Sequence, residues 1–98
     1  MPELHLVAVL YAKDGKEQQV RRDLTAVSEA SGKEDGNIRY NLFQDRNDPR
    51  RFVILEHWRD EAAQDRHHNQ SDQIRDFHDN GDQNVESREA VYFLEKVV

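Results

Sequence analysis

Between Phe52 and Trp58 the apolar residues occupy both parities, Phe52, Ile54 and Trp58 alternating with Val53 and Leu55. Successive side chains of a strand point to opposite faces, so such a segment has to be covered on both sides. Leu4 to Ala12 has the same character, with Leu4, Leu6, Ala8 and Leu10 set against Val7, Val9 and Tyr11. A single layer of helices covers only one face of a sheet, and the other face needs a second layer. Two doubly apolar strands therefore predict a sheet that is helix-covered on one side and paired with a second copy of the chain on the other. Glu56 shares the parity of Phe52, Ile54 and Trp58, whereas His57 goes with Val53 and Leu55, and His5 with Val7.

No Gly or Pro separates Trp58 from the segment that follows, so the strand should run straight into a helix. Asp60 can accept from the free N–H groups of the first turn as an N-cap, and Glu61 suits the positive end of the helix dipole. His67 then lies two turns in. The remaining chain supplies four more elements. Val20, Leu24 and Val27 recur at i, i+4 and i+7, an amphipathic helix for which Gly32 is placed as a left-handed C-terminal cap. Asn37 to Asp45 alternates, Ile38, Tyr40 and Leu42 against Arg39, Asn41 and Phe43, and the turn around Pro49 makes a hairpin with the next strand. Asn69-Gln70-Ser71 weakens the second helix, so a restart is expected with Ser71 as cap and with Ile74 and Phe77 inward. Asn84 to Val98 closes the chain as a strand. The order is strand, helix, hairpin, helix, strand: an α+β, ferredoxin-like βαββαβ subunit.

With 98 residues the chain has room for one domain, residues 1–98, that buries about 65% of its unfolded surface. A net charge of −6 argues against a nucleic-acid partner, which would need clustered Lys and Arg. The absence of Cys excludes disulfides, thiolate nucleophiles and Cys-ligated zinc. The first residues carry no basic segment followed by a long apolar run, and no later stretch approaches eighteen apolar residues. Neither signal peptide nor membrane span is expected, which makes a cytoplasmic location the default.

Three side chains around the strand-to-helix junction carry the candidate chemistry. Trp58 is either core or an aromatic wall for a flat ligand. Glu56 in an apolar layer needs an Arg partner or a raised pKa. His67 is either a hydrogen-bonded core residue or a base, since neutral imidazole offers one donor and one acceptor. Coupling between Glu56 and His67 is the expectation that joins them. His68 and Asp72 have the i, i+4 spacing of a ligand pair, but two side chains do not make a metal site, and no metal is expected.

These residues resemble the antibiotic biosynthesis monooxygenase, or quinol monooxygenase-like, domains over nearly the whole chain. Ala12-Lys-Asp-Gly-Lys16 is similar to the family's first turn, Gly36-Asn-Ile-Arg-Tyr40 to its entry into strand two, and Phe52 to Trp58 with Asp60 to His67 to its most recognisable block. The resemblance implies a dimeric α+β barrel with a pocket in each subunit, and oxidation of a small aromatic or quinol substrate by molecular oxygen without added cofactor. It places Trp58 and Tyr40 as substrate-binding residues, with His67 and Glu56 catalytic. The chain departs from many relatives where Gln70-Ser71-Asp72-Gln73 replaces a segment with a second His and an aromatic. The haem-degrading branch uses an Asn on strand one, and Leu4 to Ala12 contains none. A phosphorylated-sugar isomerase and non-catalytic or stress-associated dimeric binders of the same fold are the alternatives.

Overall fold

A computed structural model describes residues 2–98. Its elements are β1 (Leu4–Ala12), α1 (Glu17–Ser31), β2 (Asn37–Gln44), β3 (Arg51–Trp58), α2 (Glu61–Gln70), α3 (Asp72–Asp76) and β4 (Val85–Leu94). A wide helical turn, Phe77–Gly81, and a tight one, Asp82–Asn84, join α3 to β4. The strands form one antiparallel sheet in the order β2-β3-β1-β4, so the two doubly apolar strands are the central ones. This is the ferredoxin-like α+β fold.

The register sorts the parities as the alternation predicts. Leu6 faces Glu56, Ala8 faces Ile54 and Leu10 faces Phe52 on the covered side, while Val7 faces Leu55 and Val9 faces Val53 on the other. Leu6, Leu10, Ala12, Phe52 and Ile54 pack with Val20, Leu24 and Val27 of α1 and with Phe77 into one core. Among the described residues nothing covers the opposite face, leaving Leu55, Phe43 and Tyr92 exposed.

Several local expectations are corrected. Gly32 sits at φ −63° and ψ −17°, in the right-handed region, so α1 ends by continuing into a tight turn rather than reversing hand. Ile38 is 51% exposed instead of sharing the inward side of Tyr40, because the β2–β3 register slips between Asn37 and Arg39. β4 stops at Leu94, opposite His5, where β1 offers almost no further strand to pair with. The restart at Ser71 is present, with the residue extended at φ −79° and ψ 133°, but its hydroxyl does not cap α3. Among the described residues no helix is long and apolar enough to cross a membrane.

Candidate functional site

Trp58, at the last position of β3, is completely buried, and its indole Nε1–H donates to Glu56 Oε1 at 2.8 Å. The two residues are i and i+2 on one face of a strand, which brings the side chains alongside each other. His67, also buried, lies against the indole with ring centroids 4.8 Å apart. Tyr40 from β2 completes the group, edge-on to Trp58 at 6.5 Å and 5.4 Å from the His67 ring. On its Nδ1 side His67 meets Glu34 Oε1 at 2.5 Å, and the Ser71 hydroxyl donates to Glu34 Oε2. With Glu34 accepting both bonds as a carboxylate, Nδ1 carries the imidazole proton and Nε2 is left as acceptor, 4.0 Å from Glu56 Oε1.

Local sequence explains this convergence. Asp60 caps α2 through Oδ1, which accepts from the Ala63 N–H at 2.9 Å, so the helix starts immediately after the strand. Gly36, at φ 87°, lets the loop after α1 press onto that first turn: a Cβ there would come within 2.5 Å of Ala63 Cβ. The Gly36 carbonyl also accepts the Arg59 N–H at 2.7 Å. Glu34 is thereby held against α2 at His67, about two helical turns from the cap. Ser71 reaches Glu34 because the break between α2 and α3 turns its side chain out of the helical path.

Between sheet and helices lies a cavity of about 490 Å³, with Leu24, Val27, Ile54 and Phe77 among its apolar walls and Tyr40, Glu56 and His67 among its polar groups. That volume falls in the range that holds small organic ligands. Arg88 of β4 also borders the space, with its guanidinium 3.2 Å from Asp82 Oδ1.

Burial sets the electrostatics. Glu56, 8% exposed, has its pKa pushed up to about 7, mainly by loss of solvation; the Trp58 N–H pulls it down and the charge of Glu34 pushes it up. Burial likewise raises the Tyr40 phenol, with the Glu56 charge adding to the effect. His67 is lowered, because the desolvation of imidazolium outweighs the hydrogen bond and charge of Glu34. At neutral pH the site therefore holds a neutral imidazole beside a carboxyl group near its midpoint.

The family model for antibiotic biosynthesis monooxygenases matches residues 4–80. The chain belongs to that family. A Bacillus subtilis (strain 168) protein named "Putative monooxygenase YcnE" is 32% identical over 72 residues, 74% of this chain and 75% of that one. The solved structure of PA3566 from Pseudomonas aeruginosa is 31% identical, superposes with a TM-score of 0.86, and the match covers 100% of this chain and 97% of that one. SO0527 from Shewanella oneidensis, 29% identical, gives a TM-score of 0.85 over 95% of this chain and 91% of its own.

As a member of the antibiotic biosynthesis monooxygenase family the chain keeps the four residues singled out in its sequence within one cluster, with two differences in their relations. Trp58 stands behind Glu56 and His67 and is not among the residues that border the cavity; its indole packs on His67 and donates to Glu56. No Arg pairs with Glu56, whose hydrogen-bond partner is the indole. Nor does Glu56 hydrogen-bond His67; the partner of the imidazole is Glu34, a loop residue 33 positions away that sequence spacing does not single out. Its only sequence signal is the positive-φ glycine two residues later, which marks a close approach without naming what approaches.

Proposed function

We propose that this chain is a cofactor-independent monooxygenase that binds a small phenolic or quinol substrate in the cavity between sheet and helices, working as a homodimer. The observation that carries the reading is the joint placement of a neutral, Glu34-anchored His67 and a near-neutral Glu56 in one cavity that Leu24, Val27, Ile54 and Phe77 also line. His67 Nε2 takes the phenolic proton, and Glu34 steadies the imidazolium that forms, the role of an orienting carboxylate behind a general base. Glu56, half protonated near pH 7, hydrogen-bonds a substrate oxygen in either state. Tyr40, held neutral, donates from the β2 side.

The deprotonated, electron-rich ring then reduces oxygen directly. In the overall step one oxygen atom enters the substrate and the other leaves as water, both hydrogens coming from the substrate, so no external reductant is consumed. The protein binds, deprotonates and keeps out bulk water. The apolar outer face of the sheet supports the dimer, since a second copy of that face would supply the cover the chain lacks.

Oxygen uptake on a panel of quinols and phenols tests the reading. Wild type is expected to consume oxygen without added flavin, haem or metal, and His67→Ala to lose about 10²- to 10⁴-fold in rate, the usual contribution of a general base. Equal rates for the two proteins would refute the mechanism. Turnover of a phosphorylated sugar without oxygen uptake would favour the isomerase, for which Arg88 is the nearest cationic side chain, already engaged by Asp82. Ligand binding with no turnover at all would favour the non-catalytic binder.

A further inference from the structure

On the uncovered side of the sheet, away from the cavity, a second polar cluster sits at the end where β1 begins and β3 ends. His5 and His57 face each other directly in the β1–β3 register, and their rings stack with centroids 4.0 Å apart and planes within 19°. Glu3, just before β1, brings its Oε1 to 2.6 Å from His57 Nε2. One ligand atom from each of the three residues lies within 4.8 Å of the others. Both imidazoles are half-buried while Glu3 is exposed in the single chain, and in the dimer proposed above the group would lie at one end of the shared face. No step proposed for the cavity uses any of these residues.

We infer that Glu3, His5 and His57 form a binding site for a divalent transition-metal cation of the imidazole-preferring kind, such as Zn²⁺. Two neutral imidazoles and one carboxylate are borderline donors suited to Zn²⁺, Cu²⁺ and Ni²⁺ rather than to Mg²⁺ or Ca²⁺, which favour oxygen ligands. Donors placed about 2.1 Å from a tetrahedral zinc sit roughly 3.4 Å apart, so the most distant donors have to close by up to about 1.4 Å while Glu3 and His57, now 2.6 Å apart, open by about 0.8 Å, adjustments within reach of side-chain torsions. Each histidine is carried by a central strand, and the two stacked rings have to tilt out of parallel so that both nitrogens point to one ion, since a metal lies in the plane of each imidazole it binds. A divalent cation would also offset the Glu3 carboxylate and replace the hydrogen bond between Glu3 and His57. Arg39, opposite His57 in the β2–β3 register, adds a positive charge to that face, which opposes cation binding without supplying a donor. Three protein donors leave one position of a tetrahedron to water, the arrangement of an open zinc site.

Calorimetric titration of the untagged, chelator-treated chain with Zn²⁺ tests this. The expected result is one ion per chain, with His5→Ala and His57→Ala each weakening binding at least about tenfold, since loss of even an outer partner of a ligand costs about 10- to 100-fold. Glu3→Gln, a change at an exposed position outside the sheet, is expected to weaken binding while leaving the circular dichroism unchanged, which separates a lost ligand from a lost fold. With Cu²⁺ as probe, electron paramagnetic resonance should show coupling to two imidazole nitrogens in wild type and to one in either single His variant. Absence of a one-site isotherm, undiminished binding in Glu3→Gln together with His5→Ala, or loss of binding in His68→Gln instead would overturn the assignment.

Discussion

The two faces of the sheet are made by the same strands and end in opposite states. On the helix side, Leu6, Ile54 and Phe52 are closed over by α1 and the Phe77 turn, and the polar side chains admitted there, Glu56 and His67, are buried and paired. On the bare side, Val7, Val9, Val53 and Leu55 lie among Phe43 and Tyr92 without a covering element, and Tyr92 is 60% exposed. Polar groups there meet solvent, as Glu3 and Arg39 do. Burial turns a carboxyl group into one that titrates near neutrality, whereas exposure leaves charged groups to act as ion-pair partners or metal donors. Chemistry that depends on perturbed proton affinity belongs to the covered face, and the proposed assembly to the bare one.

The largest effect should come from removing the partition between them at its strongest point. Trp58→Ala is expected to cost about 3–5 kcal/mol of stability in urea unfolding, because the indole is fully buried and holds both Glu56 and His67. A loss below 1 kcal/mol would mean that the covered face does not depend on it.

Next is the pH dependence of Glu56. Its folded pKa of about 7 lies above the ordinary 4.5, so the folded chain binds the proton more tightly than the unfolded one. That contribution is fully present below pH 4.5 and is lost as pH rises through about 7, amounting to about 3 kcal/mol across the window. Glu56→Gln should remove this component of the pH profile, making the variant relatively more stable at pH 8 than at pH 5. His67 acts in the opposite sense: its lowered folded pKa costs stability as pH falls below the ordinary imidazole value of 6.5. A Glu56→Gln profile that parallels wild type between pH 5 and 8 would place the carboxylate in solvent.

For the bare face, sedimentation should show a wild-type dimer at micromolar concentration, and Leu55→Asp should weaken it by at least about 2 kcal/mol, roughly thirtyfold in Kd, by placing an unpaired charge in an apolar interface. A wild-type monomer would contradict the assignment of that face to assembly.

Much of this division can be read from the sequence, because strand parity is a local property. The alternation in Leu4 to Ala12 and Phe52 to Trp58 places Glu56 and Trp58 on one face and His57 and His5 on the other, and Asp60 fixes where α2 begins and hence how far along it His67 falls. Two kinds of information are not local. The slip at Ile38 and the right-handed Gly32 depend on how loops accommodate their neighbours. The Glu34–His67–Ser71 contact depends on a long-range approach that only Gly36 hints at. Parity also puts Trp58 and Glu56 on one face without saying which of the two reaches the cavity surface.

The central claim, that His67 is a neutral base held by Glu34 on the covered face, is tested most directly by an NMR titration of the His67 ring in wild type, Glu34→Gln and Glu56→Gln. The wild-type midpoint should lie below 6.5, and Glu34→Gln should lower it further by removing the charge and hydrogen bond that favour imidazolium, with a smaller change in Glu56→Gln. A wild-type midpoint at or above 6.5, or one that Glu34→Gln leaves unmoved, would contradict it.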